Sequence, residues 1–207
     1  MSAVPITRAF DGLATRIDTL GVRSLGFTSA LRGEGVSTIA LGTALGLCDL
    51  RNDAVLLVDA NWLEPSLTND AGLSGEPGLA EHLAHHAKLE PLIRRPHTSR
   101  IAFLPIGDRT RARPTLRALG SFLATETSSF ETVIVDLPPI LAGERFVLPW
   151  AAVLDEICIV LREEATPLPL VRQAVDTLPV ANAPYVILNR AKASSVDVPA
   201  KLVAALR

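Results

Sequence analysis

The sequence is poor in the residues that mark several protein classes. Its two cysteines, Cys48 and Cys158, lie within apolar runs, so they indicate buried thiols in a reducing compartment and not a disulfide. No apolar run reaches the ~20 residues that span a membrane, and no apolar stretch follows a basic N-terminus, so neither a transmembrane helix nor a signal peptide is predicted. The expected location is therefore the cytoplasm.

Charge is scarce and unevenly distributed. Charged residues make up 20% and apolar residues 48% of the chain, which predicts a folded globular domain, and 207 residues suffice for one domain with a sizeable core. The net charge of −2 gives no reason to expect a nucleic-acid partner. Residues 88–117 nevertheless carry eight basic residues against two acidic ones, an excess of six positive charges that leaves −8 for the rest.

This basic stretch contains seven arginines over residues 94–117. Phe103 is the one aromatic residue in this stretch. This argues against binding of single-stranded nucleic acid, because base stacking needs several aromatic side chains. Two interpretations stay open. The stretch is either a solvated surface or a docking site for an acidic partner, such as the juxtamembrane tail of a membrane protein.

Apolar patterns predict alternating strands and helices. Continuous apolar runs predict strands over residues 23–29, 54–59, 100–105, 130–136, 156–161 and 184–188. Helical spacing predicts helices over residues 6–20, 37–50, 79–93, 115–125, 146–153, 167–178 and 198–206. Proline and glycine predict a loop over residues 61–77. The alternation indicates a three-layer α/β/α sandwich with a mostly parallel sheet, in which ligands bind beyond the carboxyl ends of the strands.

A glycine-containing turn joins the first predicted strand to the helix after it. The segment LGFTSALRGEGVSTIALGTALGL, residues 25–47, has the outline of a phosphate-binding P-loop, G-x-x-x-x-G-K-[ST]. In that motif backbone N–H groups cradle a phosphate, the lysine neutralises its oxygens and the hydroxyl ligates Mg²⁺. Ala30 stands at the first glycine and Val36 at the lysine. The residues predicted to line this site are Arg32, Gly33, Glu34, Gly35, Val36, Ser37 and Thr38.

Two later predicted strands end in aspartate, Asp59 and Asp136. Because the carboxyl ends of parallel strands meet at one edge of the sheet, both carboxylates are expected near the glycine turn. They either serve a metal-bound phosphate or accept hydrogen bonds from loop N–H groups.

Three histidines, His82, His85 and His86, have the i, i+3, i+4 spacing of one helix face. Two of them could ligate zinc, but only Glu81 is at hand to complete the ligand set. A solvated helix face is therefore the favoured interpretation.

Four blocks, TSALRGEGVST, VLLVDANWLEPSL, VIVDLPPI and VILNR, together resemble the cytoplasmic kinase domain of bacterial tyrosine kinases. That family is a MinD/ParA-like branch of the P-loop proteins and serves capsule and exopolysaccharide assembly. The resemblance runs from Ile6 to about Ala191. It implies one kinase-like domain over residues 1–207, with an N-terminal helix over 1–21, a core over 22–191 and a C-terminal helix over 192–207.

The resemblance also implies a ligand, Mg-ATP or Mg-ADP. By its pattern Ser37 and Asp136 would hold Mg²⁺, and Asp59 would assist at the metal or the nucleophile as a vestigial catalytic residue. Asn189 would contact the base, with Arg190 beside it in the nucleotide site.

The sequence departs from the family pattern at several working parts. Val36 replaces the lysine of the Walker A loop, Asn61 the second aspartate of the Walker A′ strand, and Leu63-Glu64 the basic pair after it. The family has a Glu/Arg/Arg pattern in its N-terminal helix that joins subunits into a ring. In this sequence Arg8, Asp11 and Ala14 occupy the corresponding positions. The C-terminal tyrosine cluster is missing, which leaves Tyr185, predicted to lie within a strand.

These departures predict a catalytically impaired relative, a cytoplasmic partner or regulator in exopolysaccharide or capsule synthesis and export. Its expected partner is a membrane polysaccharide co-polymerase or a related transport protein, which would recruit it to the inner face of the membrane as a homo- or hetero-oligomer. Two alternatives stay open. One is an active ATP-binding kinase or ATPase in which another cation, such as Arg32, replaces the lysine; the other is a ParA/MinD-like positioning ATPase.

Overall fold

The computed structural model describes residues 10–51, 54–85, 87–97, 99–163, 165–179 and 183–189. The predicted helix over 198–206 and the first residues of the predicted helix over 6–20 lie outside these ranges. No helix within them is long and apolar enough to cross a membrane.

Six described strands form one parallel sheet in the order β3-β2-β4-β1-β5-β6. They are β1 (Ser24–Ser29), β2 (Val55–Asp59), β3 (Ala102–Leu104), β4 (Thr132–Asp136), β5 (Glu156–Arg162) and β6 (Tyr185–Asn189). Strands β1, β2, β3 and β4 are buried at every position, as expected where helices cover both faces of a parallel sheet. The predicted α/β/α sandwich is confirmed, and Asp59 pairs in register with Asp136.

Helices cover both faces of the sheet. They are α1 (Asp11–Leu20), α2 (Val36–Arg51), α3 (Ser66–Asp70), α4 (Leu79–His85), α5 (Leu116–Ser121), α6 (Ile140–Ala151) and α7 (Leu168–Thr177). A 3₁₀ turn spans Glu90–Leu92, and a π-helical turn, Phe122–Glu126, extends α5. One apolar core lies between the sheet and α1 and α2, and a larger one lies under α4, α5, α6 and α7.

Helix α1 docks closely on α2 because α2 presents two glycines to it. The ring of Phe10 lies where a Cβ on Gly42 would be, and Ala14 lies over Gly46. Helix α1 ends at Gly21, as predicted, in a left-handed conformation (φ 64°) that glycine adopts without strain.

Three predicted boundaries are wrong, each for a local reason. The predicted loop over 61–77 contains α3, which at five residues is too short to show a helical period. The predicted helix over 79–93 ends at His85 as α4, and a separate 3₁₀ turn carries Pro91, whose missing N–H breaks a helix interior. Helix α6 begins at Ile140 and not at 146, because a non-helical Gly143 kinks it and hides the period.

Gly78 offers a direct test of this packing. A Cβ there would lie 2.0 Å from the carbonyl oxygen of Pro105 and 2.8 Å from the N of Gly107, both backbone atoms that cannot rotate away. We expect Gly78→Ala to lower the free energy of unfolding by about 2 kcal/mol through overpacking. Gly120→Ala is the control, because no described atom beyond its own helix backbone and chain neighbours lies within 4 Å of its Cβ position, and we expect a gain of up to ~1 kcal/mol there from helix propensity. Equal urea midpoints for the two variants would contradict the packing.

Candidate phosphate-binding site

A cleft of about 280 Å³ lies at the carboxyl edge of the sheet, between the glycine turn, the start of α2 and α3. Every residue from Arg32 to Thr38 lines it, together with Ser29, Leu41, Asn61, Glu64, Ser66, Leu67, Asp70, Leu137 and Pro139.

The glycine turn keeps the backbone half of a phosphate cradle. Gly33 and Gly35 have φ angles of 77° and 89°, a region that residues with a Cβ rarely adopt. Their N–H groups have no acceptor among the described residues. Successive unpaired N–H groups in such a turn form a concave site for anions.

The side chains around the glycine turn carry negative charge where a phosphate site needs positive charge. Val36 begins α2, is 9% exposed and packs into the core beside that helix. Among the described residues that line the cleft, the charged side chains are one cation, the exposed Arg32, and three acids, Glu34, Glu64 and Asp70. A cleft with this excess of negative charge disfavours a polyphosphate anion.

Asp59 is fully buried and already serves the loop that follows it. Its carboxylate accepts hydrogen bonds from the N–H of Asn61 (3.1 Å), the N–H of Thr68 (2.9 Å) and the hydroxyl of Thr68 (2.7 Å). Burial raises the pKa of Asp59 to about 6, while these hydrogen bonds and the charge of Arg109 oppose the rise. Both oxygens are engaged, so this residue fits the structural interpretation of the strand-end aspartates.

Asp136 is different. It is fully buried, and neither of its carboxylate oxygens has a hydrogen-bond partner among the described residues. Burial raises the pKa of Asp136 well above its usual range; the charge of Asp59 adds to the rise, and the nearby Ser37 hydroxyl opposes it. A buried carboxylate without partners calls for an explanation such as a bound cation or a proton.

The residues present fit a magnesium ion better than they fit the phosphates. Carboxylate and hydroxyl oxygens are ligands that Mg²⁺ accepts, so Asp136 and Ser37 would hold it. The Ser37 hydroxyl accepts a hydrogen bond from Ser66 of α3 at 2.8 Å, which orients it. A bound Mg²⁺ would neutralise negative charge in the cleft, but among the described residues that line it Arg32 is the one cation for a triphosphate.

Glu34 and Asn189 connect the glycine turn to the segment after β5 and to the end of β6. The Glu34 carboxylate is buried and accepts hydrogen bonds from the N–H of Leu31 (3.4 Å) and the hydroxyl of Thr166. The Asn189 side chain donates to the Glu34 carbonyl at 3.0 Å, and a Cβ on Gly35 would lie 2.3 Å from its amide nitrogen. Asn189 therefore contacts the turn itself, and Arg190 lies outside the described residues.

Sequence reasoning missed the contribution of α3 and of Arg109. Arg109 donates to the carbonyls of Trp62 (2.8 Å) and Leu63 (3.0 Å), which fixes the loop after Asp59. The segment Pro65-Ser66 after that loop is a helix-start signal that could have indicated α3.

The solvated face predicted for the histidines is wrong for His82. It is buried against the edge of Phe122, with Nδ1 2.7 Å from the carbonyl oxygen of Ala87. No group of three potential metal ligands occurs within the described part of the chain.

The fold and the glycine turn define the class of this chain as a P-loop α/β domain. Comparison with solved structures identifies similar proteins within that class. The kinase domain of VpsO is 27% identical, with a TM-score of 0.75 over 90% of this chain and 93% of that one. The kinase domain of the Escherichia coli tyrosine kinase ETK is 20% identical with a TM-score of 0.71, over 90% and 76% of the two chains. The resemblance to the bacterial tyrosine kinase domains is confirmed.

The same fold occurs in the positioning ATPases. MinD from Pyrococcus horikoshii, solved with Mg-ADP, has a TM-score of 0.65 and 21% identity over 89% of this chain and 76% of that one. In sequence, the succinoglycan biosynthesis transport protein ExoP of Rhizobium meliloti is 29% identical over 179 residues, 81% of this chain. This chain spans only 22% of the length of ExoP. No protein-family model matches the chain.

Proposed function

We propose that the chain is a catalytically impaired relative of the bacterial tyrosine kinases that acts as a partner or regulator in exopolysaccharide or capsule synthesis and export. The observation that carries the proposal is a kinase-domain fold whose phosphate cleft has Val36 at the lysine position and three acids against one cation. Phosphoryl transfer depends on positive groups that neutralise the transferred phosphate, and this cleft offers almost none.

The pathway is inferred from ExoP, whose name assigns it to succinoglycan biosynthesis and transport. By this relation the partner is a membrane polysaccharide co-polymerase or related transport protein, and the chain works at the cytoplasmic face of the membrane. The domain would contribute a folded surface, and the glycine turn would be a structural element held by Glu34 and Asn189.

A second candidate is an ATPase in which Arg32 supplies the missing charge. Arg32 is exposed and is the one cation that the described part of the chain places in the lining of the cleft. If this candidate were correct, the chain would hydrolyse Mg-ATP, and Arg32→Ala would abolish the hydrolysis.

Complementation distinguishes a structural role from a catalytic one. We expect deletion of the gene in its source bacterium to lower the yield of secreted polysaccharide. Wild type, Ser37→Ala and Asp136→Asn should then restore it equally, because a role without phosphoryl transfer needs neither residue. Restoration by wild type alone, at equal protein levels on immunoblots, would overturn the proposal.

A further inference from the structure

A second surface, beside the cleft at the carboxyl edge of the sheet, carries concentrated positive charge. We name it the arginine face, and it consists of Arg109, Arg113, Leu116, Arg117 and Arg145, all exposed. It combines the loop after β3, the start of α5 and the first half of α6. Helices α5 and α6 follow parallel strands and pack against each other, so their first turns lie at the same edge of the sheet. None of the five residues lines the cleft.

An aromatic platform holds the two halves of the face together. Trp62 stacks on Phe146 with ring centroids 6.2 Å apart, and its Nε1 donates to the Ala112 carbonyl at 3.2 Å. The Arg145 guanidinium lies 4.6 Å from the centre of the Phe146 ring. Since Arg109 donates to the carbonyls of Trp62 and Leu63, both ends of the face are fixed to the same platform.

The arginines of the face form no ion pair within the described ranges, unlike neighbouring arginines. Arg94 pairs with Glu76, Arg95 with Glu90, and Arg111 with Asp108 and Glu81. Within the described ranges, Arg109, Arg113, Arg117 and Arg145 form no ion pair. Leu116 stands among them with 56% of its surface exposed.

Arg117 lies at a position where a positive charge does not stabilise the fold. It lies in the first turn of α5, which contains no acidic residue. The helix dipole disfavours a cation there, so the stability of the fold gives no reason for this charge.

We propose that the arginine face binds an acidic segment of a partner protein. Guanidinium groups match carboxylates with paired hydrogen bonds, and Leu116 offers an apolar contact inside a charged rim. A membrane surface fits less well, because one exposed leucine provides little area for insertion. Nucleic acid fits less well because Trp62 and Phe146 are buried, which leaves no aromatic side chain in the face for base stacking. The inference holds whether or not the cleft binds nucleotide.

The test uses a fluorescein-labelled peptide, Glu-Asp-Glu-Leu-Glu-Asp-Leu-Glu-Glu-Asp, and fluorescence anisotropy with the full chain. We expect saturable binding that weakens as salt is raised. The triple variant Arg113→Glu, Arg117→Glu, Arg145→Glu should bind at least about tenfold more weakly, because it reverses three contacts. The matched control is Arg16→Glu, Arg100→Glu, Arg172→Glu, which makes the same change in net charge on exposed residues outside the face and should bind within about twofold of wild type.

The following outcomes would contradict the binding of an acidic protein segment by the arginine face. No binding by wild type, or equal loss in the two triple variants, would overturn the proposal, because attraction would then be absent or unspecific. Stronger binding of the full chain to phosphatidylserine vesicles than to the peptide would assign the face to lipid. If the Glu variant fails to fold by circular dichroism, Arg113→Gln with Arg117→Gln replaces it, with at least a threefold loss required.

Discussion

Asp136→Asn should stabilise the protein by about 3 kcal/mol at pH 8, the scale of an uncompensated buried charge. The carboxylate is fully buried, and both of its oxygens lack hydrogen-bond partners among the described residues. Asparagine has nearly the same shape without the charge. For a chain of this length such a gain corresponds to a rise of about 6–12 °C in the midpoint of thermal unfolding.

The gain should depend on pH with a defined sign. The folded state raises the pKa of Asp136 well above its ordinary value of 3.8, so the folded state holds this proton more tightly than the unfolded state does. Wild type therefore loses stability as pH rises from about 4 through the folded-state pKa, and Asp136→Asn lacks this loss. The difference between the two should be small near pH 4 and largest at pH 8.

Urea unfolding from pH 4 to pH 8, with a chelator present to exclude divalent cations, measures this difference. Glu131→Gln is the control, because Glu131 is exposed and its replacement should leave the profile unchanged. If Asp136→Asn were less stable than wild type at pH 8, the carboxylate would have partners that the geometry does not contain. Adding Mg²⁺ should stabilise wild type and leave Asp136→Asn unaffected if Asp136 holds the ion.

Val36→Lys should increase affinity for Mg-ATP by about 10- to 100-fold. One charge-assisted contact to a phosphate contributes ~1.5–3 kcal/mol, which corresponds to that change in the dissociation constant. Val36 is at the start of α2 and lines the cleft, so a lysine stem could lie along the apolar wall and bring its ammonium to a phosphate that the N–H groups of the turn also contact. Recovery should be incomplete, because Glu34, Glu64 and Asp70 remain.

Calorimetric titration of Mg-ATP and Mg-ADP into Val36→Lys measures the gain. Val36→Met is the matched control, because it lengthens the side chain without adding charge, and it should bind no better than wild type. Equal affinities for Val36→Lys and Val36→Met would mean that the missing charge is not what limits binding. Adding Glu64→Gln to Val36→Lys should increase affinity further, since it removes one of the opposing acids.

The strands and the glycine turn were predictable because their signals are local. The short continuous apolar runs favoured strands covered on both faces, and the glycines of the turn, which need positive φ angles, mark its place. The approach of Asp59 to Asp136 followed from parallel topology alone. Helix α3 and the kinked start of α6 were missed because a five-residue helix and a helix interrupted at Gly143 have no usable period.

The surroundings of each site residue could not be predicted from the sequence, because they depend on contacts with residues that are distant in the chain. Nothing near Asp59 in the chain distinguishes it from Asp136, yet Thr68 satisfies the first and no described group satisfies the second. The contact of Asn189 with Glu34 joins residues 155 positions apart. The acids of the cleft likewise come from two separate segments, the glycine turn and the segment after β2, so their combined charge appears only in the fold.

We expect the native cleft to bind a triphosphate weakly at most, because its described lining is acidic and Val36 places an aliphatic side chain there. The most direct test is a calorimetric titration of Mg-ATP into the native chain, with phosphate release followed in the same sample. We expect no heat of binding at micromolar concentrations and no phosphate release above the buffer background. Tight binding with turnover by the native chain alone would contradict it.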